Sequence, residues 1–592
     1  MQKATNSNRN KYVLIIFILI QALYITVFFG IRKEGYHSDE IWNYAFANSS
    51  EYKHIYTLDD KNLNNCLEWL DSDILRDYIT VDKSEIFSYA PIYKNAASDL
   101  NPPLHYMLLH FICSFFPGRW SKWFCFIINI VFFIIGQFFL YKLTNDITKN
   151  TIASYAVLIL YGFGIGIINI TSFLRIYAMG VTFTIMLLYY SNKLFELRKE
   201  SSRQNKYIIY AFFACLLGAM TVHLFLTIAF IIVLMYSIYY FFSKNFKTMF
   251  KYGIAMSASV LLSMALFPTS MSHLSTSSTH FEAKKYPTPW QFKIYLSYLT
   301  KDISGFHISA IPTMTFRLTL LVLFILILLL IPFCFIARNE KWFINAKTKA
   351  KNKLKYIILN LNKCPYIILL LLCSILFFIY MTADHSSIFR MGIYSRRYIF
   401  FTYPLFALLI VLFLYYVFKV FIKSKKIRNT LIIFTSLLLA CMTYVFSYDI
   451  FSMRHKTYGI NLDNIEKDAN CIIVFNEIWI MTCVTNELYD TNSFYATRYK
   501  DYKQDNYDKN IDTGKPLYLI LDVEKVYNRE TADEIYGNVD FDNTSPSDCL
   551  LVNFDQKSEI LNYYRNLSIS SKLTFVGTDV LFNRMIEIYR LN

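Results

Sequence analysis

The chain alternates long apolar stretches with short charged intervals, and the apolar stretches predict helices long enough to cross a bilayer. Eleven of them lie at 12–30, 123–141, 151–170, 173–192, 207–222, 224–242, 252–267, 316–337, 365–383, 398–421 and 429–448. Each approaches the roughly 20 residues needed to span about 30 Å of hydrocarbon. A further apolar stretch opens at Pro102-Pro103-Leu104 and closes at Phe116-Pro117-Gly118. About 13 helical residues reach only about 20 Å, too short to cross. The charges place it. With 104–117 on the outer surface, the Lys/Arg-rich short loops at 193–206, 244–251, 341–355 and 423–428 all fall on the inner side. A crossing there would turn 193–206 and 244–251 outward. The pattern therefore predicts eleven spans, a cytoplasmic N-terminus, and an interfacial helix over 104–117 with Trp120 and Trp123 at headgroup depth. Lys3, Arg9 and Lys11 precede the first apolar run with no small-residue cleavage site after it, so that run reads as an uncleaved span.

This topology leaves 31–122, 268–315 and 449–592 outside. In the last piece the pattern changes. Short apolar runs at 471–475, 517–521 and 573–576 alternate with helical stretches such as 478–488, which predicts a small α/β domain. The expected division is a transmembrane unit over 1–450, with interfacial helices in its first outer loop (31–122), and an extracytoplasmic domain over 451–592. Composition agrees. Of 592 residues 55% are hydrophobic and 17% charged, which excludes a disordered chain and a single soluble domain. The net charge of +16 changes meaning once it is mapped. From Asp449 onward 23 acidic residues face 15 Lys and Arg, so the basic surplus belongs to the cytoplasmic loops and gives no reason to expect nucleic acid. The eleven cysteines show no CxxC or metal-finger spacing.

Candidate chemistry gathers at the outer boundary. His37-Ser38-Asp39-Glu40 follows the first span within a few residues. A carboxylate there is a candidate general base; the plainer reading makes Asp39 the N-cap of a helix over 40–46. Asn101-Pro102-Pro103-Leu104-His105 opens the interfacial helix, with two prolines fixing its start. The outer loop 384–397 carries Arg396 and Arg397 beside Tyr394, against the positive-inside trend. Arg175-Ile176-Tyr177 opens a span from the same side, and His223 sits at an outer turn. Outward arginines at span mouths suit a bound anion, because a guanidinium fork matches phosphate; snorkelling to lipid headgroups is the alternative. Acids and arginines on one outer surface suit group transfer from a phosphorylated lipid.

Asp39-Glu40 after the first span, then Asn101-Pro102-Pro103-Leu104 at a juxtamembrane helix, resembles the multispanning GT-C glycosyltransferases, among them the protein O-mannosyltransferases and the aminoarabinose transferases of lipid A. Residues 173–178 resemble the family's Arg-containing segment, and Ser395-Arg396-Arg397-Tyr398 its late Arg-rich motif. The resemblance covers roughly 12–450 and is closest to a bacterial branch with a small C-terminal domain. It implies inverting transfer of a sugar from a polyprenyl-phosphate donor to a glycan, lipid or protein acceptor at the outer face of the cell membrane. Asp39 would then be the base and Glu40 its partner or an acceptor-site residue. Arg396, Arg397 and Arg175 would hold the donor phosphate, with His37, Tyr177, His223, Tyr394, Asn101 and His105 in support. The common family form has His where Asn101 stands. Some relatives use a divalent metal; His37, Asp39, Glu40 and His105 offer ligand chemistry, but at no diagnostic spacing. Two other classes compete: a transporter or flippase for lipid-linked saccharide, and a polysaccharide ligase or polymerase. The chain lacks the paired Gly/Pro interruptions expected of inverted-repeat transporters.

Overall fold

The computed structural model describes residues 2–33, 35–50, 57–59, 62–64, 67–98, 101–197, 201–276, 288–305, 392–446, 458–475, 479–499, 501–504, 514–523, 554–566, 572–581 and 584–592. Helix α1 (Gln2–Arg32) leads to a long connection carrying α2 (Ser38–Asn48), α3 (Asp73–Ile79), α4 (Ala90–Ser98) and α5 (Leu104–Cys113). The helices continue as α6 (Lys122–Thr148), α7 (Thr151–Gly162), α8 (Ile165–Ser172), α9 (Tyr177–Glu196), α10 (Ser201–Ala219), α11 (Leu224–Phe242) and α12 (Phe246–Leu266). Two outer helices, α13 (Ser270–Thr276) and α14 (Thr288–Ser304), come next. A 3-10 helix (Gly392–Thr402) then runs into α15 (Tyr403–Phe421), followed by α16 (Lys425–Phe446).

Six helices among the described residues are long and apolar enough to cross a membrane, and the bent pair α7–α8 makes a seventh. The chain is a multi-pass membrane protein. Nine predicted spans fall on helices; those at 316–337 and 365–383 lie outside the described residues. Large apolar side chains such as Phe230, Phe250, Ile254, Leu261 and Phe413 face outward, where lipid would cover them.

The predicted single span over 151–170 is broken. Helices α7 and α8 meet at 59° across Phe163-Gly164. Flanking glycines weaken the helix there, and α16 takes up the freed backbone groups. Tyr444 donates to the Phe163 carbonyl at 2.7 Å, and Thr443 Oγ1 accepts from Ile165 N at 3.0 Å. Helix α5 turns one side inward. His105, Tyr106, Leu109, His110 and Cys113 form its buried side, while Phe111 stays exposed. The two histidines therefore point into the protein, on a helix that packs against α2. His110 Nδ1 lies 2.8 Å from the Ala47 carbonyl.

A hairpin pairs β1 (Thr57–Asp59) with β2 (Asn62–Asn64). A second sheet has seven strands: β3 (Trp69–Asp71), β4 (Tyr458–Gly459), β5 (Asn470–Phe475), β6 (Ser493–Arg498), β7 (Leu517–Val523), β8 (Leu573–Leu581) and β9 (Arg584–Leu591), in the order β3-β6-β5-β7-β9-β8-β4. Strand β5 is parallel to both neighbours and buried along its whole length, as its unbroken apolar sequence requires. Two helices, α17 (Trp479–Leu488) and α18 (Phe554–Arg565), accompany the sheet. Its edge strand β3 comes from the connection between α1 and α6, where Trp69 pairs with Tyr495, 426 positions later. Ser72 Oγ meets Thr491 Oγ1 at 2.8 Å, and α17 packs on α2 and α3. The tail and the segment after α1 thus form one layer resting on the helix that begins at Ser38.

Candidate active site

Helix α2 begins two residues earlier than a cap at Asp39 would allow. Its N-cap is His37, whose Nδ1 accepts from Asp39 N at 2.9 Å, while Glu40 reaches back to His37 N at 2.7 Å. This reciprocal box fixes the entire helix start. It also sets the imidazole tautomer, because Nδ1 must carry the lone pair. Burial pushes His37 down to about 3, against the pull of Asp39 and with the help of Arg397 and Arg175. The ring is a neutral cap.

Glu40 is fully buried and both of its oxygens are engaged. Lys33 Nζ donates to Oε1 at 2.6 Å and to Oε2 at 2.8 Å, and Leu174 N donates to Oε1 at 2.8 Å. One carboxylate therefore ties the end of α1, the start of α2 and the α8–α9 connection together. Lys33 carries a signal legible in the sequence, a further cation on the outer side of the first span, but nothing there paired it with Glu40.

Asp39, one residue earlier, faces a different set of partners. Arg397 Nη1 donates to its Oδ2 at 2.5 Å, and Arg175 Nη1 donates to its backbone carbonyl at 3.1 Å. The ion pair is nearly enclosed, with the Arg397 side chain 6% and the Asp39 side chain 13% exposed. Burial alone would raise the Asp39 carboxyl; the charges of Arg397 and Arg175, with the Arg397 hydrogen bond, outweigh it and hold the group well below the usual carboxylate range. Its place in the first turn of α2 favours the anion in the same sense.

Phe173 is the apolar hub of the site. The Arg397 guanidinium lies 6.0 Å from its ring centre and 5.1 Å from that of Tyr398, whose hydroxyl accepts from Arg397 Nη2 at 3.2 Å. His37 meets the same Phe173 ring edge-on at 5.8 Å, and Tyr177 stacks on it at 5.8 Å. The 3-10 helix reaches this place because α9 has no side chain at Gly180, where a Cβ would stand 2.8 Å from the Phe401 ring.

Asp39, Arg397, Arg175, His37 and Tyr177 are thus drawn together from three distant segments. His105 is buried on α5, with Nε2 4.0 Å from Cys125 Sγ; burial, reinforced by Arg175, pushes it down to about 3. Asn101 lies half-buried before α5. His223 is engaged with a different group: its Nε2 lies 3.4 Å from His273 Nδ1, and His273 Nε2 lies 3.1 Å from the Ala97 carbonyl. Arg396 and Tyr394 belong to the 3-10 helix, and their side chains lie outside the described residues. Of the four residues with ligand chemistry for a metal, Glu40 spends both oxygens on Lys33 and backbone amides, and His37 spends Nδ1 on the helix cap. Among the described residues no three His, Cys, Asp or Glu side chains are grouped to hold a metal ion.

The fold and the site define a multi-pass membrane protein with a buried carboxylate–guanidinium centre where its first outer loop meets the helix bundle. No family model and no curated protein matches the chain. Among solved structures it is similar to the archaeal oligosaccharyltransferase AglB from Archaeoglobus fulgidus, in complex with an inhibitory peptide and a dolichol-phosphate. That likeness has 12% identity over 86% of this chain and 69% of that one, with a TM-score of 0.41. It is also similar to ArnT from Cupriavidus metallidurans bound to undecaprenyl phosphate, at 10% identity over 97% of each chain and a TM-score of 0.42. The apo state of the same ArnT aligns at 9% identity over 93% of this chain and 96% of that one, with a TM-score of 0.41. The reading of the site rests on the residues of this chain.

Proposed function

We propose that the chain is a membrane glycosyltransferase that moves a sugar from a polyprenyl-phosphate donor to an acceptor hydroxyl at the outer face of the membrane. The observation that carries this reading is the enclosed Asp39–Arg397 pair with Arg175 beside it. A base and a phosphate clamp are the two things the transfer needs, and here they are held against each other. The arrangement suggests an order of events. Donor phosphate takes Arg397 and Arg175 as partners, and Asp39 loses the cation that keeps it ionised. Its proton affinity rises, and it accepts the proton of the acceptor hydroxyl. The acceptor oxygen attacks the anomeric carbon from the side opposite the phosphate, and the bond from that carbon to the phosphate oxygen breaks. The configuration inverts, and the negative charge on the departing polyprenyl phosphate rests on the arginines.

Glu40 acts in this scheme as a positioning residue, since its oxygens are committed to Lys33 and two backbone amides. The N-terminus lies inside and the seven-stranded sheet outside, as the inner placement of the Lys-rich loops requires. The test is incubation of the purified protein, in lipid nanodiscs, with a panel of polyprenyl-phosphate sugars and acceptors. Released polyprenyl phosphate, lost in Asp39→Asn, is the expected result. Movement of intact donor across the bilayer without cleavage would replace the reading with a flippase.

A further inference from the structure

Asp302 is a carboxylate that no sequence motif singled out. It lies on α14 and is 1% exposed. The Tyr403 hydroxyl donates to its Oδ2 at 2.7 Å, and Asn169 Nδ2 donates to the same oxygen at 3.4 Å. These two donors belong to the segments that carry the arginines of the site. Asn169 is on α8, and its carbonyl accepts from Phe173 N at 3.3 Å, two residues before Arg175. Tyr403 opens α15 directly after the 3-10 helix that bears Arg397.

The junction is tight. A Cβ at Gly166 of α8 would stand 2.8 Å from the Tyr403 ring and 3.1 Å from the Asp302 carbonyl, so only glycine lets the three segments close. A buried carboxylate is stable only while its donors stay in place. Releasing either segment would strip a hydrogen bond from a group that cannot turn to water. Asp302 is therefore a fixed point to which both segments are bound.

We propose that Asp302 is a positioning residue that sets the relative placement of Arg175 and Arg397, tethering one segment through Asn169 and the other through Tyr403. The inference deepens the reading of those arginines as a phosphate clamp and rests on it. Two guanidinium groups bind one phosphate well only at a fixed separation, and a misplacement of about 1 Å is enough to cost orders of magnitude in a preorganised site.

The test uses the full-length protein in nanodiscs, with undecaprenyl phosphate as the probe. Hydrogen exchange is followed in the peptides covering 165–180 and 392–405. Asp302→Ala should speed exchange in both peptides while leaving α10–α12 unchanged, and should weaken probe binding by about tenfold or more. Asp302→Asn keeps an acceptor for Tyr403 and should recover most of that loss. Tyr403→Phe should loosen only 392–405 and Asn169→Ala only 165–180, which keeps the test open should Asp302→Ala not fold. Unchanged exchange in both peptides, or faster exchange throughout the protein, overturns the inference. Equal probe binding by wild type and Arg397→Ala would count against the phosphate clamp, while the exchange data still decide whether Asp302 tethers the two segments.

Discussion

The Asp39–Arg397 pair implies that one substitution should push binding and turnover in opposite directions. In Asp39→Asn the guanidinium keeps a neutral neighbour but loses its anion. Donor phosphate must displace the Asp39 carboxylate from Arg397, where the two meet at 2.5 Å in a nearly enclosed setting. A hydrogen bond to a charged group contributes about 1.5–3 kcal/mol. Relief from that competition therefore tightens polyprenyl phosphate binding by roughly 10–100-fold, at about 1.4 kcal/mol per decade. Loss of the general base lowers turnover by about 10²–10⁴-fold. Native mass spectrometry or thermophoresis with undecaprenyl phosphate reads the first effect, and release of polyprenyl phosphate from a sugar donor reads the second, on the same preparation. Arg397→Ala should lose both. Weaker binding in Asp39→Asn, or turnover within about threefold of wild type, would refute the idea that donor and base share one arginine.

Glu40→Gln should act on stability more than on chemistry, because it leaves the buried Lys33 ammonium short of its counter-charge. A loss of about 3–5 kcal/mol is expected, and Lys33→Met in the same chain should restore part of it; a thermal shift series in detergent would expose a wrong assignment as three equal melting points. Acid should weaken the fold early. His37 and His105 are buried and held at about 3, below the ordinary value near 6.5, so between those limits the unfolded chain takes up protons that the folded one refuses. Stability then falls as pH drops through that window, by up to about 1.4 kcal/mol per pH unit for each histidine, with the Asp39 contribution lost only below the ordinary carboxylate range. Melting temperatures that stay flat from pH 7 to pH 4.5 would contradict this. Removing residues 451–592 should abolish turnover although Asp39, Arg175 and Arg397 remain, since α17 packs on α2 and β3 loses its partner strand β6; a truncated chain with wild-type activity would show that the layer does not hold the site.

Much of this protein is written locally. Crossing a bilayer demands about 20 apolar residues in a row, so the membrane helices can be read from hydrophobic runs, and the buried strand Asn470–Phe475 from its apolar run at 471–475. The outward arginines are likewise visible as departures from a charge rule. What no run of residues contains is a meeting between segments. That Asp39 pairs with Arg397, 358 positions away, while its neighbour Glu40 turns to Lys33 and Leu174 N, follows from where α2 starts, and His37 decides that start by capping it. The break at Gly162-Phe163-Gly164 holds because α16 supplies Tyr444 and Thr443. The sheet that looks like a separate tail takes its edge strand from the first loop. Hydrophobic runs specify which segments leave water; hydrogen bonds and charges that must be satisfied once buried specify which segments meet, and only the tertiary structure shows how each was satisfied.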